Sequence, residues 1–365
     1  MQKIKVGISH GDINGVGYEV ILKTFANEDM LSLCTPVLFG SPKVLAYYKK
    51  IVGNSPNFNV IAKPELAKDD QLNVIDCFHD KEMKIEPGQP LKEAGEAAFV
   101  ALEAAVNALK NKQIDVLVTA PINKNTIQRE GFNFPGHTEY IEKKAGNGNH
   151  SLMILMNNEL RVALVTTHLP VAQIAQKINK QAIDSKLTIL NNTLKKDFAI
   201  DNPRIAVLAL NPHCGDNGLL GNEEKNIIEP AIDEAFKKGI RCFGPYAADG
   251  FFGAGTYKKF DAILAMYHDQ GLAPFKALAM EDGVNYTAGL PVVRTSPAHG
   301  TAYDIAGKNI ADPNSFRQAV FAAIDICRNR ERFNQANANP LKKQYYDKKD
   351  DSDRLKLDQV TEEDV

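Results

Sequence analysis

Three of the eight histidines follow apolar runs that are typical of buried strands. They are His168 after residues 162–167, His213 after residues 205–210 and His268 after residues 262–266. Helical patterns separate these runs, so we expect parallel strands whose carboxyl ends lie at one edge of a sheet. Three imidazoles that converge there suit Zn²⁺ or a similar divalent ion with one position open for a substrate. The alternative is three unrelated histidines that are satisfied within their own loops.

Two basic residues follow the third histidine along the chain. Lys276 and Arg294 are expected in loops of the same crevice, where they suit a phosphate or a carboxylate. As isolated residues they would serve equally well as surface charges. Asp269, adjacent to His268, is expected to orient the imidazole through a hydrogen bond.

The surrounding sequence predicts the elements that position these residues. Residues 4–9 indicate a first strand, and the glycines at positions 11–17 indicate a tight turn into a helix. Such a turn can cradle an anion, but its spacing matches neither a Walker A loop nor Gly-x-Gly-x-x-Gly, so a close-packed turn explains it as well. Residues 93–111 carry an apolar stripe at helical spacing and lead into a strand at 114–119. A last amphipathic helix is expected over residues 314–328.

Composition excludes several classes of protein. The chain has 365 residues, of which 44% are hydrophobic and 24% charged, with a net charge of −2. This length favours two domains, and the charge balance argues against nucleic acid or a membrane as a main partner. The five scattered cysteines are typical of reduced thiols, so we expect a cytoplasmic protein. No apolar run in the sequence reaches the length of a membrane span, and no signal peptide is expected.

A set of longer motifs carries a family resemblance. They are Gly11-Asp-x-x-Gly-x-Gly-x-Glu19, residues 119–124 (TAPINK), 136–139 (GHTE), 211–213 (NPH), 265–271 (AMYHDQG) and 294–296 with 299–302 (RTS and HGTA). Over about residues 3–330 the chain resembles the 4-hydroxythreonine-4-phosphate dehydrogenases of pyridoxal-phosphate biosynthesis. That family is related in fold to the isocitrate and isopropylmalate dehydrogenases.

The resemblance implies an α/β fold of two α/β/α domains with mainly parallel sheets and an active site in the interdomain cleft. We expect a discontinuous first domain (1–135 and 290–330), a second domain with the metal site and dimer interface (136–289) and a charged, flexible extension (331–365). The resemblance also implies a homodimer whose active sites are shared between subunits. NAD or NADP would bind as cosubstrate without a Rossmann fingerprint, and its contacts stay unassigned.

The resemblance further implies roles for individual residues. The metal, Zn²⁺, Mg²⁺ or Co²⁺, would be held by three histidines, the third supplied by the partner subunit: His168, His213 and His268. Five residues would bind the phosphorylated substrate: His137, Thr138, Lys276, Asn285 and Arg294. Two residues would act in catalysis, Asp249 as proton acceptor and Lys276.

The implied reaction is NAD(P)-dependent oxidation of 4-hydroxythreonine 4-phosphate at C3, followed by decarboxylation to 3-amino-2-oxopropyl phosphate. The near alternative is a sister dehydrogenase for threonate or erythronate 4-phosphate, and the distant one is a non-catalytic metal- or phosphate-binding protein. The sequence departs from the family at Ile13 and Tyr18, where prolines are usual, and at Pro297-Ala298, where Val-Asp is more common. These departures leave cofactor contacts and fine specificity open.

Overall fold

The computed structural model describes residues 3–78, 83–128 and 132–339. Within them twelve strands form one sheet: β1 Ile4–Ser9, β2 Cys34–Gly40, β3 Phe58–Ile61, β4 Leu72–Asp76, β5 Val116–Thr119, β6 Leu152–Met156, β7 Arg161–Leu164, β8 Ile205–Leu208, β9 Cys242–Tyr246, β10 Ala262–Ala265, β11 Val284–Ala288 and β12 Arg294–Pro297. The α-helices in this part of the chain are α1 Gly17–Phe25, α2 Glu28–Leu33, α3 Pro42–Val52, α4 Lys92–Lys110, α5 His137–Ala145, α6 Ile174–Lys177, α7 Lys180–Lys196, α8 Glu229–Lys237, α9 Ala248–Gly253, α10 His268–Ala279 and α11 Asn314–Asn337.

The sheet is mainly parallel, which confirms the predicted α/β class. Its strand order is β3-β4-β2-β1-β5-β12-β11-β6-β7-β10-β8-β9. The antiparallel pairs are consecutive and lie near the middle: β12–β11, β11–β6 and β6–β7. The strands on the β9 side therefore run opposite to those on the β3 side. Both predicted domains contribute strands to this one sheet, and the boundaries between them stay a prediction.

Helices cover both faces of the sheet. On one face, α1, α7 and α11 pack with side chains of β1, β6 and β8 in a large core cluster. On the other face, α4 and α5 pack over β2 and β5, while α10 packs over β6, β7 and β10. These two smaller clusters stand side by side over the central strands.

The glycine-rich turn after β1 is packed against protein. The N–H of Asp12 donates to the carbonyl of Pro121 at 2.9 Å, and the N–H of Val16 donates to the carbonyl of Thr301 at 3.0 Å. A Cβ on Gly17 would lie 2.2 Å from the carbonyl oxygen of His10. The close-packed turn, rather than an anion cradle, is therefore what the glycines allow.

The two departures in this turn are core residues. Ile13 and Tyr18 are at most 1% exposed. The Tyr18 hydroxyl accepts a hydrogen bond from the N–H of Ser41 at 2.9 Å, and the Tyr48 hydroxyl donates to the carbonyl of Ile13 at 2.7 Å. The Tyr18 side chain thus links α1 to the residue that precedes α3, and both side chains fill space in the core.

The last helix is longer than predicted. It continues to Asn337, so residues 331–337 of the expected flexible extension are helical. The rest of that extension, from residue 340 onward, lies outside the described residues.

Candidate active site

A cavity of about 470 Å³ lies on the face of the central strands that α5 and α10 cover. Its floor consists of alternate residues on neighbouring strands: Arg294 and Ser296 of β12, Asn285 of β11, and Met153 and Leu155 of β6. Because alternate residues of a strand share a face, this floor is the surface of the sheet rather than its edge. The prediction that Lys276 and Arg294 lie in loops was therefore wrong, since Lys276 belongs to α10 and Arg294 to β12.

Arg294 is a buried cation in this floor, with 2% of its surface exposed. Its Nε and Nη2 donate to Oγ1 of Thr119 at 3.0 and 2.5 Å, and its Nη1 donates to Oγ1 of Thr287 at 3.1 Å. Burial lowers the pKa of Arg294 to about 9, so the guanidinium is still protonated at neutral pH. Hydroxyls rather than carboxylates accept these bonds, which leaves the positive charge for an anionic ligand.

Three buried polar atoms on the cavity wall have no partner in the described part of the chain. They are Nε2 of His137, Oδ1 of Asn285 and Nε2 of His299. A buried polar atom without a partner costs about 1–3 kcal/mol, so these atoms mark places where polar groups of a ligand would fit. Burial, followed by the nearby Arg294 and Lys124, lowers the pKa of His137 well below its usual value. The ring is therefore neutral at pH 7.

The five residues predicted to bind substrate all line this cavity. They are His137 and Thr138 on α5, Lys276 on α10, Asn285 on β11 and Arg294 on β12. They come from four elements that are far apart in sequence. The structure thus brings the whole set together on one surface.

His168 and His268 line the same cavity, with ring centroids 5.9 Å apart. Nδ1 of His268 lies 2.7 Å from Oδ1 of Asp269, the contact that the sequence predicts. Nδ1 of His168 lies 3.9 Å from Oε1 of Glu139. Nε2 of the same ring lies 3.4 Å from Nζ of Lys124. Burial and then Lys124 lower the pKa of His168, which favours the neutral ring that a metal ion requires. The two imidazoles fit a divalent ion but do not complete its coordination.

His213 and Asp249 do not line this cavity. His213 is exposed in the turn that follows β8, and Asp249 is exposed on α9, where it lines a second cavity of about 490 Å³ with Pro212. Within residues 3–78, 83–128 and 132–339, no three His, Cys, Asp or Glu side chains are placed to hold a metal ion. The prediction that one chain gathers all three histidines was therefore wrong. β10 separates β8 from β7, so the strand ends that carry His213 and His168 are about 10 Å apart.

The turn that carries His213 has an unusual backbone. Residues 213–217 all have positive φ, from 43° to 79°, and four of these five residues are not glycine. Such conformations cost roughly 1–2 kcal/mol per non-glycine residue. Oε1 of the buried Glu224 accepts hydrogen bonds from the N–H groups of Leu210 and Asn211 at 2.8 and 2.7 Å. This carboxylate anchors the strand end from which the turn projects.

Several residues in the cavity or directly beneath its wall carried a weak sequence signal or none. Lys124 and Glu139, which contact His168, end the motifs at 119–124 and 136–139, so motif membership was the available signal. Thr119 also belongs to a motif, but nothing in the sequence points to its contact with Arg294. Thr287 has no motif, because its contact with Arg294 depends on strand pairing.

The fold and the cavity together suit one class of protein: an α/β enzyme whose cavity offers a cation for a small anionic substrate beside a pair of histidines. The chain matches the model of the family described as pyridoxal phosphate biosynthetic protein PdxA over residues 32–323. It belongs to this family and is an enzyme of the dehydrogenase type.

Relatives and a solved structure agree with this assignment. The chain is 63% identical to a 4-hydroxythreonine-4-phosphate dehydrogenase of Bacteroides thetaiotaomicron over 361 residues, which is 99% of each chain. It is 39% identical to a D-threonate 4-phosphate dehydrogenase of Cupriavidus necator, over 89% of this chain and 98% of that one. The crystal structure of a 4-hydroxythreonine-4-phosphate dehydrogenase from Klebsiella pneumoniae superposes with a TM-score of 0.77 at 33% identity, covering 90% of this chain and 98% of the other. In the described residues no helix is long and apolar enough to cross a membrane.

Proposed function

We propose that this chain oxidises 4-hydroxythreonine 4-phosphate at C3 and decarboxylates the product to 3-amino-2-oxopropyl phosphate, with NAD⁺ or NADP⁺ as hydride acceptor. The observation that carries the proposal is the 63% identity, over 99% of both chains, to a dehydrogenase named for that substrate. The relative named for D-threonate 4-phosphate is 39% identical. The alternative of a sister dehydrogenase for threonate or erythronate 4-phosphate therefore has weaker support.

The floor of the cavity suits the phosphate of this substrate. Arg294 provides a buried positive charge, and Lys276 adds a second from α10. A guanidinium can hold two phosphate oxygens at once, which a lysine cannot. Within the described residues, His137 and Asn285 each have a polar atom without a partner, and these atoms suit the hydroxyl, amino and carboxylate groups of the rest of the substrate.

The wall with His168 and His268 is where a divalent ion, Zn²⁺, Mg²⁺ or Co²⁺, would be held. When bound, the ion would stabilise negative charge on the C3 oxygen and the nicotinamide would accept the hydride. Asp269 fixes the orientation of His268 through its contact with Nδ1, and Glu139 lies 3.9 Å from Nδ1 of His168. Loss of a hydride and a proton leaves a 3-oxo acid, and loss of CO₂ then requires a proton at C2. We propose that Asp249 accepts the proton that is lost during oxidation, and that Lys276 donates the proton that C2 gains after decarboxylation.

A second copy of the chain would complete the site. The two assigned residues that are missing from the cavity, His213 and Asp249, both lie exposed at the same end of the sheet, where Pro212 and Asp249 line a common cavity. Leu219, which follows the turn of His213, is 79% exposed, as expected of a residue that a partner covers. We therefore assign His213 and Asp249 to the partner subunit of a homodimer, and this assignment replaces the expectation that the partner supplies His268.

The substrate assignment is tested by initial rates of nicotinamide reduction. Purified protein with a divalent ion is assayed with 4-hydroxythreonine 4-phosphate and, separately, with D-threonate 4-phosphate. We expect kcat/KM to be at least about tenfold higher for the first, a difference of roughly 1.4 kcal/mol in transition-state binding. A higher value for D-threonate 4-phosphate would establish the sister activity, and no reduction with either compound would exclude a dehydrogenase acting on this class.

A further inference from the structure

We propose that Thr119 and Thr287 are positioning residues that hold Arg294 from both sides and make Thr138 a hydrogen-bond donor to the substrate phosphate. The proposal rests on the function proposed above, because it assumes that an anionic group binds over Arg294. Beyond that function, it explains why the cavity would prefer an anion. It also assigns a role to Thr119 and Thr287, which were not among the site residues predicted from the sequence.

The strand order places the two threonines on either side of Arg294. β12, which begins with Arg294, lies between β5 and β11. Thr119 is the last residue of β5, and Thr287 belongs to β11. Both threonines are fully buried, and their hydroxyls together accept the three hydrogen bonds that the guanidinium makes in the described residues.

The chemistry of the guanidinium fixes the direction of these bonds. Arginine has donors and no acceptor, so Oγ1 of Thr287 must accept from Nη1 of Arg294. A hydroxyl has a single hydrogen, and the Thr287 hydroxyl is free to donate it to Oγ1 of Thr138, 3.4 Å away. Accepting from a cation polarises a hydroxyl and strengthens the bond that it donates. The hydrogen of Thr138 then remains for a group in the cavity.

The donors of Arg294 and Thr138 favour a ligand with hydrogen-bond acceptor atoms. Thr138 lines the cavity, whereas Thr287 lies beneath its wall. A ligand over Arg294 would meet guanidinium N–H groups and a hydroxyl hydrogen, all of which require acceptor atoms. A phosphate offers acceptor oxygens alone when it is fully ionised, and an ammonium group offers donors alone. Threonine, unlike aspartate or glutamate, holds the guanidinium without neutralising it.

The test is a titration of the full-length protein with inorganic phosphate, followed by calorimetry, together with steady-state kinetics. Thr287→Val removes the hydroxyl at nearly constant volume, and Thr287→Ser keeps it. We expect Thr287→Val to raise the Kd for phosphate and the KM about tenfold while kcat changes less than twofold. Thr287→Ser should stay within about twofold of the wild type in all three values.

A matched control lies on the neighbouring strand. Thr295 is buried on β12, and its hydroxyl donates to the carbonyl of Ala319 on α11, on the opposite face of the sheet. Thr295→Val should leave the Kd for phosphate unchanged. A Thr287→Val protein that binds phosphate like the wild type would overturn the proposal, and so would an equal loss in Thr295→Val. If Thr287→Val fails to fold, Thr119→Val is tested in the same titration instead. We expect it to raise the Kd for phosphate about tenfold.

The phosphate titration also separates this proposal from the proposed function. A wild-type protein that binds phosphate but reduces no nicotinamide would contradict the dehydrogenase assignment and leave the variant comparison valid. A wild-type protein that turns over the phosphorylated substrate but shows no effect of Thr287→Val on phosphate binding or KM would contradict the role of the threonines alone.

Discussion

Arg294 is the residue on which the chemistry of the cavity floor depends. It is buried, remains protonated at neutral pH, and has hydroxyl acceptors rather than a carboxylate partner in the described residues. A cation in such surroundings is costly unless a ligand compensates it. Its contribution should therefore appear when substrate binds.

Replacing Arg294 by lysine tests this contribution. Lysine keeps the positive charge but loses the planar pair of donors, so we expect KM to rise by an amount equivalent to about 1–3 kcal/mol. Arg204→Lys is the matched control, because Arg204 is an exposed arginine paired with Asp261. Steady-state kinetics of both variants provides the measurement. An unchanged KM in Arg294→Lys would remove this residue from the substrate site.

At this scale the sequence predicted residue types better than contacts. His168 and His268 could be singled out because they stood directly after apolar strand patterns, and Arg294 because a basic residue was expected in the same crevice. The role of Thr287 could not be predicted, because threonine is common in strands and its partner lies on another strand. The conformation of the turn around His213 was also hidden, since four of its five left-handed residues are not glycine.

At the scale of elements, the reversal of direction at β11 and β6 decides where the site lies. Parallel strands alone would place the ligand at an edge of the sheet. The antiparallel pairs instead let β12 and β11 present polar side chains beside the apolar Met153 and Leu155 of β6, all on one face under α5 and α10. Strong local patterns were predicted well, such as α4, expected over 93–111 and observed at Lys92–Lys110. The direction of β11 depends on pairing between distant segments, which local periodicity does not encode.

The junction of β1 and α1 should make stability depend on pH. His10 follows β1, is fully buried and stacks on Tyr18 of α1 with ring centroids 5.0 Å apart. Burial lowers the pKa of His10 to about 3, whereas an unfolded histidine titrates near pH 6.5. The unfolded chain therefore gains a proton that the folded chain excludes. The stabilisation is complete above about pH 6.5 and decreases as the pH falls below it.

Replacing His10 by phenylalanine should remove this dependence. Between about pH 7.5 and 5, the wild type should lose about 2 kcal/mol more of its free energy of unfolding than His10→Phe does. Urea unfolding at both pH values gives the difference. Parallel pH dependences in the wild type and His10→Phe would contradict the account of this junction.

At the scale of the whole molecule, the proposed metal ligands are separate from the apolar core that stabilises the fold. The core clusters consist of apolar side chains packed on both faces of the sheet, and the proposed metal ligands His168, His213 and His268 belong to none of them. Removing a metal ion should therefore abolish turnover and leave the fold intact.

Chelation tests that separation. Protein treated with a chelator and dialysed should lose nicotinamide reduction but keep its far-ultraviolet circular dichroism, and a divalent ion added back should restore activity. Loss of the circular dichroism signal along with activity would mean that the ion is structural.

The central claim is that each catalytic site combines His168 and His268 of one subunit with His213 of its partner. Two mixtures of inactive variants test it under conditions that allow subunit exchange. In the first, His168→Ala is mixed with His213→Ala, so each heterodimer has one doubly damaged site and one intact site. Random exchange of equal amounts makes half the dimers mixed, and activity should recover to about a quarter of wild type. In the second, His168→Ala is mixed with His268→Ala, every site stays damaged, and no activity should return. Recovery in the second mixture, or none in the first, would contradict the account.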